Sequence, residues 1–365
     1  MAIIASFVVL LVYLGINVTT TMTRIGVSPG FDFLWRSANF EIGESPIAFA
    51  AGDPYLRAML AGLLNTLKVA LFGCIFATIL GVILGVAGLS GNLLLASLVR
   101  WYVELIRNTP LLLQLFFWIS LAKAFPAPRQ ASALLGSIYL TNRGVYVPTV
   151  SMEGLPLNGP VVLAILVIAI GLPLFALSRL KRLNGRTMTI GIVAILAATL
   201  AIFHALGANF TLETPALAGF NIRGGYNLTP EFAALLTGLI VKFSAAIAEI
   251  VRAGIQSVNR GQWEAARALG LHNGQIMRLI VLPQALRVIT PLTTSSYLDL
   301  TKDSSLAVAI GYPDLVSIVN TTANTTGQSL EALMILIGTY LSINLIVSAL
   351  MNQYNRRVAL KGTTR

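Results

Sequence analysis

MLAGLLNTLKVALFGCIFATILGVILGVAG, running from Met59 to Gly88, contains a single charge, Lys68. About 20 mostly apolar residues cross the ~30 Å hydrocarbon core as a helix, and this run is longer still. Backbone groups find no water in lipid, so only helices and closed barrels satisfy their hydrogen bonds there. The run is too long for a barrel strand, and a membrane helix follows. Gly73, Ala77, Gly81 and Gly85 recur in it every four residues and lay a smooth stripe along one face. Small residues let helix backbones approach closely. The expected occupant of the stripe is another helix of this chain, and the alternative is a second subunit.

The rest of the chain repeats the signal. Of 365 residues, 56% are apolar and 11% charged, which does not make a soluble surface. Further helix-length runs lie at Ala2 to Val18, Val161 to Leu177, Met188 to Ala208, Phe232 to Ile250 and Leu330 to Leu350. Another span has its apolar part at Leu111 to Ala122, and a polar-interrupted one lies within Leu286 to Ile310. The expectation is an all-α membrane protein with eight spans. Ala2 to Val18 is read as a span rather than a cleaved leader, because no basic residue precedes it and no small-x-small site precedes Thr19.

Basic residues orient the spans, since Lys and Arg in short connections are retained on the cytoplasmic side. The net charge is +11. One set of connections holds Arg100, then Arg179, Lys181, Arg182 and Arg186, then Arg252, Arg260, Arg267, Arg278 and Arg287, then Arg356, Arg357, Lys361 and Arg365. The alternate set holds fewer, partly offset by acidic residues, so the first set is expected inside, with both termini. The Pro/Gly-rich stretches 23–58, 125–158 and 208–229 then face outward. This divides the chain into an amino-terminal helix with an outer segment (1–58), a two-span part (59–125) and an insertion with two more spans (126–229). A second membrane part (230–355) with an inner loop at 261–283 and a basic tail (356–365) complete it.

Several chemistries are excluded. Cys74 is the only cysteine and sits in an apolar run, so there is no disulfide framework and no thiolate cluster. No Gly-x-x-x-x-Gly-Lys-[Ser/Thr] loop occurs, so nucleotide chemistry must come from another chain. His204 and His272 have no third ligand near them in the pattern, and no metal site is expected. No nucleic-acid motif appears.

The stretch after the sixth span is long, polar and apolar by turns, where a simple linker would be short. Gln262 to Leu269 is a run of helix formers that stops at Gly270, and a second helical run from Asn273 to Val281 is expected to end before Pro283. Ala265, Ala266 and Ala268 give a low-profile surface able to enter another protein's cleft, while Glu264 and Arg267 supply directional charge.

Here a resemblance becomes specific. Glu264-Ala265-Ala266, then Gly270, then Ile280-x-Leu282-Pro283 resembles the coupling signature of permease subunits of binding-protein-dependent ABC importers. VELIRNTPLLLQ (Val103 to Gln114) and DLTKDSSLA (Asp299 to Ala307) resemble the polar amino acid branch. PAPRQ (Pro126 to Gln130), GFNIRGG (Gly219 to Gly225) and the extra spans are similar to the larger permease of general L-amino acid importers. The likeness runs from about Gly30 to Tyr354.

That resemblance implies a type I importer, MetI-like, with a five-helix core made of spans two, three, six, seven and eight and three additional spans. It implies a bacterial inner-membrane subunit that pairs with a homologous permease, by resemblance a paralogue. Two ATPase subunits would carry ATP and Mg, so this chain would hold no cofactor, and a periplasmic binding protein would deliver the amino acid. Glu264, Ala265, Ala266, Arg267, Gly270 and Pro283 would couple the ATPase to the membrane.

Ionisable groups inside a span are costly and usually face a cavity or one another. Asp299, Lys302 and Asp303, with Ser304, are candidates for the substrate path, and an Asp299–Lys302 pair at i, i+3 is the structural alternative. Glu104, Arg107 and Glu249 are candidates for a gate or interface, beside an expected kink at Pro110. An ion-coupled secondary amino acid transporter is the rival function, with the charges around Asp299 as its coupling site. A membrane enzyme is disfavoured because no nucleophile–base or metal constellation is found.

Overall fold

A computed structural model describes residues 2–24, 26, 30–134, 136–153, 169, 173, 185–207 and 209–359. The contacts divide the chain into two compact units, Met1–Phe125 with Thr229–Arg365, and Pro126–Leu228.

The first unit is helical. After α1 (Ala2–Arg24) come α2 (Tyr55–Ala87), α3 (Leu93–Asn108) and α4 (Leu111–Lys123). The chain returns to this unit with α6 (Pro230–Gln256), α7 (Arg260–Ala268), α8 (Asn273–Ile276), α9 (Leu282–Asp303), α10 (Leu315–Thr326) and α11 (Ser329–Ala359). Thr229 starts α6 well: its Oγ1 accepts from the Phe232 amide, and Pro230 occupies the first turn, where a missing N–H costs nothing.

Gly81 and Gly85 of the α2 stripe lie against α6, and Gly73 lies against Leu300 of α9. A Cβ built on Gly81 would sit 2.7 Å from Cβ of Ile247, and one on Gly85 would sit 2.7 Å from Cβ of Val251 and 2.8 Å from the Ala248 carbonyl. Only hydrogen fits at these two points, so the stripe is an intramolecular seam. The outer segment is tied to the same pair of helices. Glu44 forms an ion pair with Lys68 of α2 and accepts a hydrogen bond from the Thr229 hydroxyl, while Asn65 Nδ2 donates to the Glu44 carbonyl at 2.8 Å. Lys68, the one charge in the opening stretch, is thereby neutralised. Phe33, fully buried, packs with Tyr55, Met59, Leu315, Ile318 and Ala332 to close this end.

Among the described residues, four helical stretches are long and apolar enough to cross a membrane: Tyr55–Ala87, Pro230–Gln256, the continuous Asn273–Ile310 and Ser329–Asn355. Together α3 and α4 make a fifth, bent by 105°. The sequence suggested one kinked span here. Pro110 has no N–H to continue α3 and holds Thr109 extended (φ −97°, ψ 128°), so two helices form instead. Of the remaining expected spans, Ala2 to Val18 falls on α1, with apolar part Ile4–Asn17 among the described residues. Met188 to Ala208 falls on α5 (Gly185–Ala205), with apolar part Val193–Ala205. Val161 to Leu177, apart from residues 169 and 173, lies outside the described residues, as do Arg179, Lys181, Arg182, Lys361 and Arg365.

The second unit corrects the all-α expectation. Besides α5 it contains an antiparallel sheet of β1 (Ala133–Leu134), β2 (Ile138–Thr141), β3 (Gly144–Val147) and β8 (Tyr226–Leu228), in that order. β4 (Thr149–Glu153) pairs with β5 (Asn209–Glu213), and β6 (Ala216–Ala218) with β7 (Asn221–Arg223). Val, Tyr and Thr dominate residues 138–150, and the turns at Asn142-Arg143-Gly144 and Gly219-Phe220 break the runs. That is hairpin composition, hidden in the sequence by its Pro and Gly content.

Candidate functional site

Asn259 opens the loop between α6 and α9: its Oδ1 accepts from the Gly261 amide at 2.8 Å and caps α7. The other end of α7 closes by a Schellman motif. The Gly270 amide donates to the Arg267 carbonyl at 2.9 Å, and the Leu271 amide reaches back to the Ala266 carbonyl at 3.2 Å. Gly270 takes φ +76°, with nothing within 4 Å of an added Cβ, so its requirement is conformational and not steric. A helix of two and a half turns is therefore held at both ends by its own sequence.

Ala266 is 1% exposed and turned into the chain, as are Ile276 and Val281. Glu264, Ala265 and Arg267 are exposed. The low-profile outer surface thus consists of Ala265 and Ala268 without Ala266, which pins the helix from beneath. Leu269, 79% exposed at the tip, joins that surface. An apolar residue next to the turn glycine was its only sequence signal. Pro283 does not interrupt the chain: α8 passes through a π-helical turn, Met277–Val281, directly into α9. The π-turn re-registers the carbonyls, so a residue without an N–H sits inside a continuous helix.

At the far end of α9, Asp299 and Lys302 pair at 3.8 Å. Their side chains are 62% and 58% exposed, so the chain's own helices leave this face uncovered. Asp303 is half-buried, one turn beyond Asp299. Ser304 does not share the face: it is buried and its hydroxyl donates to the Thr301 carbonyl at 2.8 Å.

Near the carboxy-terminal end of α6, Arg252 grips Glu249 in a bidentate pair, Nε to Oε2 at 2.9 Å and Nη2 to Oε1 at 2.5 Å, and donates from Nη1 to Gln256. Glu104 and Arg107 are exposed on α3. At the bend, Gln114 Nε2 donates to the carbonyls of Ile106 and Thr109 at 3.1 and 3.0 Å, and Lys242 Nζ to those of Arg107 and Thr109. The last carbonyls of α3 thus find donors inside the protein. A lone lysine in the middle of an apolar run was the visible sign of Lys242.

No group of three metal-ligating side chains occurs among the described residues. The features instead are a capped helix on a connecting loop and charges on uncovered helix faces. Residues 77–360 match the family model described as binding-protein-dependent transport system inner membrane component. The chain belongs to that family. Permease subunits of this kind are non-catalytic, with ATP hydrolysed on partner chains, and they are multi-pass proteins of the inner membrane. Membership implies ATPase subunits and a binding protein as partners.

Three relatives span almost all of this permease. YhdX of Escherichia coli K12 is 44% identical over 94% of this chain and 89% of its own length. The general L-amino acid transport system permease protein AapQ of Rhizobium johnstonii is 41% identical over 94% and 87%. The glutamate/glutamine/aspartate/asparagine transport system permease protein BztB of Rhodobacter capsulatus is 38% identical over 96% and 90%. Among solved structures, a crystal structure of an amino acid ABC transporter with histidines aligns at TM-score 0.50 and 23% identity, covering 83% of this chain and 95% of that one. That likeness concerns the fold, a helical MetI-like permease.

Proposed function

We propose that this permease is the transmembrane subunit of an ABC importer for polar L-amino acids, delivered by a periplasmic binding protein and driven by ATP hydrolysis on two partner ATPases. The observation that carries the reading is the exposed helix α7, capped at both ends and turned at Gly270 into α8, which runs through the π-turn into α9 without a break. A rigid rod rooted in a membrane helix transmits a push, whereas a loop absorbs it.

In this reading the five-helix core is α2, the bent α3–α4 pair, α6, α9 and α11, and three further spans complete eight. Both termini and the loop at 261–283 face the cytoplasm. Glu264, Ala265, Arg267 and Leu269 meet an ATPase, Ala266 and Gly270 hold the rod's shape, and Pro283 sits where the rod enters α9. Asp299, Lys302 and Asp303 line the substrate path, where an amino acid's ammonium and carboxylate need partners of both signs. The second half of that path comes from a homologous permease, most simply a paralogue. ATP and Mg bind on the partners.

The test is reconstitution with the ATPase, the partner permease and the binding protein, reading amino acid-stimulated ATP hydrolysis. Stimulation in the wild type, lost when Glu264 and Gly270 are both replaced by bulky residues, is the expected result. Uptake by this chain alone under an ion gradient, without ATP, would instead establish secondary transport.

A further inference from the structure

A cavity of about 270 Å³ opens between the carboxy-terminal parts of α2, α3 and α6. Its floor is apolar, with Leu84, Val99 and Val103, and its walls carry five charges: Arg100, Glu104 and Arg107 from α3, and Glu249 and Arg252 from α6. Residues 100, 104 and 107 recur at helical spacing on one face of α3. They reach this cavity because Val99 and Val103 on the adjoining face pack against Ala245 and Ala248 of α6.

The five charges are not equivalent. Glu249 and Arg252 satisfy each other in the bidentate pair, and Gln256 takes a further guanidinium N–H. Arg100 bonds only back to its own helix, Nε to the Ala96 carbonyl at 3.3 Å. Neither Glu104 nor Arg107 has an ion-pair partner within 4 Å among the described residues, although Arg100 and Glu104 are spaced to pair with each other. The cavity therefore presents one carboxylate and two guanidinium groups without an ion-pair partner within 4 Å among the described residues, beside apolar side chains, with Arg107 near enough to Glu249 to act on its charge.

We infer that this cavity is a second binding site for a free amino acid, distinct from the charges on α9 and preferring an acidic side chain. Glu104 takes the α-ammonium, Arg107 takes the α-carboxylate as a fork of parallel donors, and Arg100 is left for a second carboxylate. A neutral amino acid leaves Arg100 unused, and a basic one brings a like charge to it. The inference rests on the orientation proposed above, which puts the cavity on the cytoplasmic side. An amino acid there bridges α3 to α6 immediately before the loop that carries α7, so the accumulated product acts on the helix that drives transport.

The experiment is equilibrium binding of radiolabelled L-glutamate to the assembled transporter in nanodiscs, without the binding protein. Saturable binding is expected, displaced by L-aspartate better than by L-glutamine and least by L-arginine. Glu104→Gln and Arg107→Gln should each weaken it by about tenfold or more, as the loss of a charge-assisted hydrogen bond requires. Arg100→Gln should erase the preference for glutamate over glutamine, and Asp303→Asn should leave binding in place. Absence of saturable binding overturns the inference, as does binding lost in Asp303→Asn and kept in Arg107→Gln. Native mass spectrometry that finds a phospholipid held by Arg100 and Arg107 and not displaced by L-glutamate overturns it too. Binding-protein-stimulated ATP hydrolysis in the same preparation separates the two readings: if it persists while glutamate binding is absent, only the inference fails.

Discussion

Lys242 Nζ lies 3.3 Å from the carbonyl oxygen of Arg107, so a charge in the middle of one membrane helix closes the end of another. Helix ends in lipid cannot leave their last carbonyls to water, and α3 stops inside the protein at a 105° bend. Lys242 and Gln114 share the Thr109 carbonyl, and their other bonds cover Ile106 and Arg107. Lys242→Met keeps the aliphatic stem and removes the donor. A loss of about 1–2 kcal/mol is expected, at the low end for a hydrogen bond from a charged group because these contacts are long. Lys242→Met combined with Gln114→Leu should cost more than the sum of the two, measured as a double-mutant cycle on thermal unfolding in detergent. Strict additivity would mean that the two donors act independently.

The seam between α2 and α6 gives a sharper test. Gly85→Ala places a methyl group 2.8 Å from the Ala248 carbonyl and 2.7 Å from Cβ of Val251, so backbone must move. Overpacking of this kind costs roughly 1–3 kcal/mol. Gly73→Ala meets only the end of the Leu300 side chain, at 3.2 Å, which can turn aside. The expected order of folded yield on size exclusion is therefore wild type, Gly73→Ala, Gly85→Ala. Equal yields would show that the helices are not this close.

Some of this was legible and some was not. The crossing helices could be read because apolar length is a direct physical demand of the bilayer, and the turn at Gly270 because a left-handed residue after a run of helix formers has few other uses. The sheets of residues 133–153 and 209–228 were not read, since short strands rich in Pro and Gly neighbours give only a few alternations each. Ala266 faces inward, and Ser304 is turned away from Asp299. Which face a residue takes on a short or tightened helix depends on packing from distant segments. Lys68 and Glu44 lie 24 residues apart in sequence, and nothing local in either announces the other.

Gly270 separates shape from contact in the proposed rod. Gly270→Ala at φ +76° costs about 1–2 kcal/mol of backbone strain with no clash, since nothing lies within 4 Å. Assembly with the ATPase should survive, while stimulated hydrolysis should fall several-fold because the Schellman closure on Ala266 and Arg267 loosens. Leu269→Ser should do the reverse and weaken assembly while leaving the helix intact, measured by co-purification of the ATPase. If both variants lose assembly and stimulation in parallel, the turn and the tip have no separate roles.

Asp314 supplies a pH test outside the membrane-spanning helices. It caps α10, with Oδ1 accepting from the Ser317 amide at 2.9 Å, while Oδ2 is buried without a hydrogen-bond partner among the described residues. Burial outweighs the capping amides and pushes the carboxyl up from the ordinary aspartate value to about 7. A raised carboxylate pKa favours the protonated native state, so between about pH 4 and 7 the folded chain holds a proton that the unfolded chain has released. Stability should therefore fall as pH rises through that window and level off above it, by an amount on the order of a few kcal/mol. Asp314→Asn keeps the acceptor for Ser317 and cannot ionise. Its thermal midpoint should match the wild type near pH 4, exceed it at pH 8, and lose most of the slope between them. A variant less stable than wild type at pH 8 would show that the folded protein favours the Asp314 carboxylate, with its second oxygen bound to a donor.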